Sequence, residues 1–303
     1  AGYHFDYIIS NPPFGIDWKR EKTQVEAEAK KGFDGRFGPG LPAISDGQML
    51  FMLNGVKKLK EGSGRMAIIQ NGSSLFTGDA GSGASEIRRY VITEDLVEAI
   101  IQLPTDLFYN TGISTYIWVL TRGKPMHRSG KVQLIDASKC FVKRRKNIGS
   151  KRVDLDDACI ELILRAYEDF DNRAYEENGL IVESKVFDNS FFGFTKVTVE
   201  TAQADATGKP VLKKGKKQPV KGASDTEIIP LSEDIDSYME KNVLPYNPLA
   251  YIDPAKDKIG YEIPFTRLFY KFVAPASSES IFEEIKALEA EETILMKELF
   301  GHA

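Results

Sequence analysis

Residues 5–10, Phe-Asp-Tyr-Ile-Ile-Ser, run directly into Asn11-Pro12-Pro13-Phe14. The first stretch reads as a buried strand, rich in aromatic and β-branched residues. Two consecutive prolines forbid its continuation, because each fixes φ at about −65° and removes an N–H. Pro12 also pushes Asn11 toward an extended backbone. The carbonyls of Asn11 and Pro12 are hard to consume in a helix or ladder here, and the Asn11 amide oxygen adds a further acceptor. Acceptors held rigidly beside a strand end can grip both hydrogens of an –NH₂ group, and Phe14 offers a flat face for stacking. The carboxyl end of a strand is also where open α/β sheets place their ligands. The stretch therefore reads as a receptor for an exocyclic amine on a planar ring. Gripping both hydrogens draws the nitrogen toward tetrahedral geometry and frees its lone pair for attack on an electrophilic methyl group.

Downstream, helical and strand periodicities alternate. Asp46 is the expected N-cap of a helix whose Met49, Leu50, Met52, Leu53, Val56 and Leu59 recur at helical spacing, with Gly62 and Gly64 ending it. Strands are expected over 65–70, 96–103, 113–120 and 131–136, and a helix over 84–93. Residues 17–45 read as a long irregular loop. Residues 1–136 thus predict an α/β fold, a parallel sheet finishing in a hairpin-like reversal. Beyond residue 150 the texture changes to a helix over 154–170, short strands over 180–200, a helix over 231–243 and a long terminal helix over 279–300. Residues 201–227, polar, basic and broken by Pro and Gly, read as an exposed hairpin tip or a mobile loop. Two domains are expected, 1–150 and 151–303.

The 303 residues are 42% hydrophobic and 28% charged, with a net charge of −4, so the chain as a whole is no basic nucleic-acid glue. No apolar run approaches the roughly 20 residues needed to cross a membrane, and no signal peptide is visible, which predicts a cytoplasmic protein. Cys140 and Cys159 make neither a disulfide framework nor a zinc pattern, and no metal site is expected. Charge is uneven, however. Residues 139–152 (KCFVKRRKNIGSKR) hold seven Lys or Arg and no acid. Lys143, Arg144, Arg145 and Lys146 are therefore candidates for contacting a DNA backbone, against the plainer reading of a solvated connector.

Ser10–Phe14 looks like the catalytic motif of methyltransferases acting on adenine N6. Together with DGQMLFMLNGVKKLKEGSGRMAIIQNGSSLF (46–76), VEAIIQLPTDLFYNTGISTYIWVLTR (97–122), KVQLIDAS (131–138) and KIGYEIPFTRLFYKF (258–272), it makes the chain resemble the modification (M) subunit of type I restriction–modification systems. The resemblance is weakest at 17–45 and 201–227. It implies part of an S-adenosylmethionine-dependent, Rossmann-like methyltransferase sheet, followed by a C-terminal α+β region and a long terminal helix. It also implies methyl transfer from S-adenosylmethionine to adenine N6 in a specific DNA sequence. Asn11 would accept from the amine with its side chain and Pro12 with its carbonyl. Pro13 completes the motif, and Phe14 would stack on an adenine flipped from the duplex. Phe108, or its rival Tyr109, would cover the other face.

The implied partners are double-stranded DNA, a specificity subunit, a restriction subunit and a second copy of the modification subunit, acting at the nucleoid. One departure stands out. The family binds its cofactor through a Phe-x-Gly-x-Gly turn that precedes the Asn-Pro-Pro motif, and this chain does not carry it. Gly78-Asp79-Ala80-Gly81-Ser82-Gly83 follows the wrong strand and reads as a mobile loop near the DNA. Cofactor-binding residues are therefore unassigned. The chain is expected to be the C-terminal portion of such a subunit, inactive alone, with the strand at 5–10 left as a sheet edge. Ile281, Ile285, Leu288, Glu292, Leu295 and Leu299 form a heptad seam with one intruding Glu, expected to pack against the specificity subunit. Two other readings are a protein glutamine N-methyltransferase, which grips an amide –NH₂ with the same turn, and a non-catalytic scaffold for the specificity subunit.

Overall fold

The computed structural model describes residues 2–272 and 274–301. From the amino end the chain forms β1 (Tyr7–Ser10), α1 (Lys22–Ala29), α2 (Gln48–Lys57), β2 (Arg65–Asn71), a short α3 (Ser73–Phe76), α4 (Gly83–Thr93), β3 (Val97–Gln102), β4 (Thr115–Thr121) and β5 (Lys131–Lys139). A hairpin of β6 (Val142–Ile148) and β7 (Lys151–Asp154) leads to α5 (Asp157–Asp169), β8 (Arg173–Glu177) and β9 (Leu180–Asp188).

Seven strands make the main sheet, in the order β1-β2-β4-β3-β5-β9-β8. β1 pairs parallel with β2 and β3 with β5, while β4 is antiparallel to both β2 and β3. The expected reversal is β4, but it lies inside the sheet between β2 and β3 rather than at an edge, and β9 and β8 add further antiparallel pairs at the far end. The 103–114 connection carries no helix, and a helix-free return makes an antiparallel neighbour. Val97–Ile101 of β3 are buried without alternation, the mark of a strand covered on both faces. α5 covers one face, packing Cys159, Leu162, Ile163 and Ala166 on Ile101, Ile135 and Ala137. Met49 and Leu53 of α2 join Trp18, Val25, Phe37 and Ile87 in a second core.

Three local expectations change. The stretch at 5–10 is not buried: β1 is the terminal strand of the sheet, and Tyr7 and Ile9 are 77% and 90% exposed. It is the open edge that was expected. Residues 17–45 are not wholly irregular, because Val25 gives α1 a buried anchor. α2 begins at Gln48 behind Gly47, and Asp46 acts from one residue further out, its Oδ1 accepting from the Gln48 N–H at 3.2 Å.

The sheet does not stop at residue 150, since β9 pairs with β5 with Lys131 opposite Asp188. The chain divides instead between Phe265 and Thr266. A second sheet is built on β10 (Gly193–Ala202), followed by β11 (Leu212–Lys213), β12 (Lys216–Lys217), β13 (Pro219–Pro230), α6 (Ile235–Tyr238), β14 (Ala250–Ile252) and β15 (Lys258–Tyr261). Of the two readings of 201–227, the exposed hairpin tip stands and the mobile loop does not: β11 and β12 pair antiparallel as an exposed hairpin between β10 and β13. β13 is held by its backbone register with β10, Lys196 opposite Ile228 through Glu200 opposite Ser224, and such pairing is indifferent to polar side chains. α7 (Phe265–Phe269) lies across the division, and α8 (Ser278–Phe300) follows, with the Ser277 hydroxyl accepting from the Ser280 N–H at 3.1 Å. Among the described residues no helix is long and apolar enough to cross a membrane.

Candidate active site

The register of the main sheet puts the carboxyl ends of β1, β2, β3 and β5 on one rim. Ser10 lies opposite Ile68, Asn71 opposite Thr115, and Gln102 opposite both Tyr116 and Asp136. Four segments rise from this rim: the turn at 11–15, the 71–83 segment, the 103–114 loop and the β6–β7 hairpin.

At the turn, Asn11 is exposed and Pro12 buried. Among the described residues no hydrogen bond uses the Asn11 side chain or the Pro12 carbonyl. Gly15 closes the turn at φ +65°, a left-handed backbone that a side chain would strain. The two acceptors are left open because the prolines remove the local donors that could have used them. Phe14 is half-buried beside them. β4, where the 103–114 loop ends, is two strands from β1, a separation of about 10 Å. Phe108 on that loop is half-buried and Tyr109 is 68% exposed.

Sequence reasoning missed the network that fixes the neighbouring segment. Gln48, buried at the start of α2, places Nε2 at 2.7 Å from Asp46 Oδ2, 2.8 Å from Asn71 Oδ1 and 2.6 Å from Ser73 Oγ. Its Oε1 accepts from the Asn71 N–H at 3.1 Å. Trp118 Nε1 donates to Ser74 Oγ at 3.2 Å. The available signal was a glutamine opening an otherwise apolar helix, paired with the polar run Gln70-Asn71-Gly72-Ser73-Ser74 straight after a strand. Arg88 of α4 is buried and donates to the carbonyls of Ser74 at 3.2 Å, Thr77 at 3.0 Å and Tyr261 at 2.6 Å. Burial lowers its pKa to about 10, so it stays protonated at neutral pH. Asp79 pairs with Lys196 at 2.7 Å. The glycine-rich segment is therefore tied down at both 73–77 and 79.

Beside the turn lies an open cleft of about 890 Å³, lined in part by Ile16, Asp17, Trp18, Leu50, Phe51 and Asn54. Among the described residues no cluster of His, Cys, Asp and Glu could hold a metal. On the basic hairpin, Lys143, Arg145 and Lys146 are exposed. Arg144 is not free for a phosphate: it is half-buried and bonded to Asp154, which Lys151 also meets at 2.7 Å.

Residues 2–201 match the family N-6 DNA Methylase. Among individual proteins, the chain is 30% identical over 167 residues to the type I restriction enzyme MjaVIII methylase subunit of Methanocaldococcus jannaschii, covering 54% of this chain and 27% of that one. It is 28% identical over 214 residues to the HindI methylase subunit of Haemophilus influenzae, covering 69% and 45%. A solved type I restriction-modification methyltransferase subunit from Streptococcus thermophilus shares 29% identity, with a TM-score of 0.49, over 61% of this chain and 34% of that one. The match spans between about a quarter and just under half of the two curated relatives. With two thirds of its length inside the family's bounds, the chain belongs to the N-6 DNA methylase family.

Proposed function

We propose that this chain carries the target-base side of a type I restriction–modification DNA methyltransferase, which transfers a methyl group from S-adenosylmethionine to adenine N6. The observation that carries this reading is the pair of unused acceptors at Asn11 and Pro12, held on a rigid turn at the rim of the sheet in a member of this family. The Asn11 amide oxygen and the Pro12 carbonyl take the two amine hydrogens of a flipped adenine. Phe14 supports one face of the ring, and Phe108 or Tyr109 the other. Each acceptor pulls a proton toward itself, so the amine lone pair leaves conjugation with the ring and is freed for bonding. The new nitrogen–carbon bond would replace the methyl's bond to the sulfonium; the two acceptors stabilise the nitrogen as it becomes cationic, and the departing proton passes to solvent water.

The cleft beside the turn fits a flat, partly apolar group: Ile16, Leu50 and Phe51 give an apolar wall, and Asn54 and Asp17 give polar edges. These residues would hold one side of the cofactor, which supplies a methyl group on a sulfonium. The matched stretch is only part of each relative, so completion of the cofactor pocket by further polypeptide, and inactivity of residues 1–303 alone, belong to the proposal. So do assembly with DNA, a specificity subunit, a restriction subunit and a second modification subunit in the cytoplasm. α8 supports the specificity-subunit contact, because Ile281, Ile285, Leu288, Leu295 and Leu299 repeat at heptad spacing and are all exposed.

The test is transfer of labelled methyl from S-adenosylmethionine to duplex DNA by an assembly containing this chain, with the product nucleosides separated. Label in N6-methyladenine is the expected result. Label in a cytosine, or in glutamine of a protein substrate, overturns the reading.

A further inference from the structure

The β6–β7 hairpin is fastened to the loop that carries the second candidate ring. The Ser150 N–H donates to the Tyr109 carbonyl at 2.9 Å, and the Arg152 N–H donates to the Asp106 carbonyl at 2.8 Å. A weaker contact runs from the Val153 N–H to the same Asp106 carbonyl at 3.4 Å. The approach at the tip is close. Gly149 stands at φ +57°, and a Cβ there would lie 2.4 Å from the Tyr109 carbonyl oxygen. Asp106 is itself held at φ +56°, an uncommon left-handed conformation for a side-chain-bearing residue, and the hairpin bonds the carbonyl of that same residue. Loop and hairpin therefore have little freedom to move independently.

The charges of the hairpin divide into two groups. Asp154 takes Arg144 and Lys151, and Arg144 Nε also donates to the Lys146 carbonyl at 3.2 Å. Those three residues brace the hairpin from within. Among the described residues, Lys143, Arg145, Lys146 and Arg152 have no carboxylate partner, and all four are exposed. They are spread along two strands and converge on no pocket. A single small anion needs converging donors, whereas a polyanion with regularly repeated charges suits a spread row.

We propose that the β6–β7 hairpin is a DNA-backbone sensor: phosphates bound at Lys143, Arg145, Lys146 and Arg152 set the position of the 105–111 loop, and with it the ring at Phe108 or Tyr109 that closes on the target base. The inference rests on the reading of DNA as substrate. It adds that backbone contact and base capture are coupled through three backbone hydrogen bonds, so a duplex engaged at the hairpin organises the far wall of the base pocket.

The experiment measures binding of a fluorescent duplex across a salt series, alongside amide hydrogen exchange with and without duplex. Three forms are compared: the chain itself, the triple variant Lys143→Ala/Arg145→Ala/Lys146→Ala, and Gly149→Val. Removing three phosphate contacts is expected to flatten the slope of log affinity against log salt by about 2.7. Duplex is expected to slow exchange over both 143–152 and 106–112 in the unaltered chain. It should slow neither in the triple variant. In Gly149→Val, which keeps every charge, it should slow only the hairpin. An unchanged slope in the triple variant overturns the proposal while leaving the DNA reading intact. So does protection of 143–152 without 106–112 in the unaltered chain, a result that depends on no variant folding. Equal protection by inorganic phosphate alone overturns the duplex as ligand. No duplex binding by the unaltered chain at low salt overturns the coupling and counts against the DNA reading itself.

Discussion

At the amino rim of the main sheet, Asp95 meets the Lys124 ammonium at 2.5 Å, the Asn189 amide at 2.8 Å and the Gly130 N–H at 3.0 Å. Glu98, 1% exposed, lies between Arg65 at 2.7 Å and Arg128 at 3.5 Å. At the carboxyl rim, among the described residues, the Asn11 side chain and the Pro12 carbonyl make no hydrogen bond, and four cations of the β6–β7 hairpin have no carboxylate partner. Both rims are polar. Charges that only hold the fold together are satisfied within it, because a buried unpaired charge is costly. The Asn11 side chain can stay open without such a cost, because it is exposed and water solvates it. The contrast within the carboxyl rim is equally informative: the Gln48 network and Arg88 are closed, and they fix the ground on which the open groups stand.

Breaking the closed rim should have the largest effect on stability. Glu98→Ala removes the carboxylate between Arg65 and Arg128 and leaves a buried guanidinium uncompensated, so the unfolding free energy in urea should fall by about 3 kcal/mol. A loss under about 1 kcal/mol would mean that water reaches the pair.

The open rim should behave in the opposite way. Asn11→Ala should leave the urea midpoint within about 0.5 kcal/mol of the parent, since the side chain is exposed and unbonded. In the assembled methyltransferase it should slow methyl transfer about a hundredfold or more, the scale for losing one preorganised transition-state contact. Activity within tenfold would separate the turn from the chemistry.

The finest distinction is one of pH. Burial pushes the Asp95 carboxyl up, but the Lys124 ammonium and the donors from Gly130 and Asn189 outweigh it and hold the group below its ordinary value. Its folded pKa is depressed, so its contribution is present above the unfolded carboxylate value of about 3.9 and is lost as pH falls through the lower folded value. Asp95→Asn should therefore lower the thermal midpoint at pH 7, and the gap to the parent should close as the pH drops below 4. A gap independent of pH would assign the effect to packing.

The strands at 65–71, 97–102, 115–121 and 131–139, the helices α4 and α5, and the terminal helix were all legible, the helices by their apolar period and the strands by short runs rich in β-branched and aromatic residues. α1 was not: KTQVEAEA offers a single buried residue, Val25, and a helix held by one anchor has no visible stripe. β13 was hidden for a related reason, since its polar side chains say nothing of a backbone register with β10. At the site, Asn11–Phe14 could be read directly because the prolines dictate the backbone. Gln48, Arg88 and the reassignment of Arg144 could not, because their partners lie 23, 173 and 10 residues away.

What the sequence determined by itself is local and rigid: a strand that must end at Asn11, an acceptor pair beside an aromatic ring, a basic run without acids, and the family's stretches at 46–138. Tertiary structure alone decided which of these stand together. It inserted β4 antiparallel between β2 and β3, which brought the turn and the 103–114 loop to one rim about 10 Å apart. It also split the basic run into bracing and open residues and tied the hairpin to the loop. The physical reason is that φ restriction and side-chain chemistry are properties of neighbouring residues. Strand order and hydrogen-bond partners depend on which distant segments can bury apolar surface together while satisfying every backbone donor and acceptor.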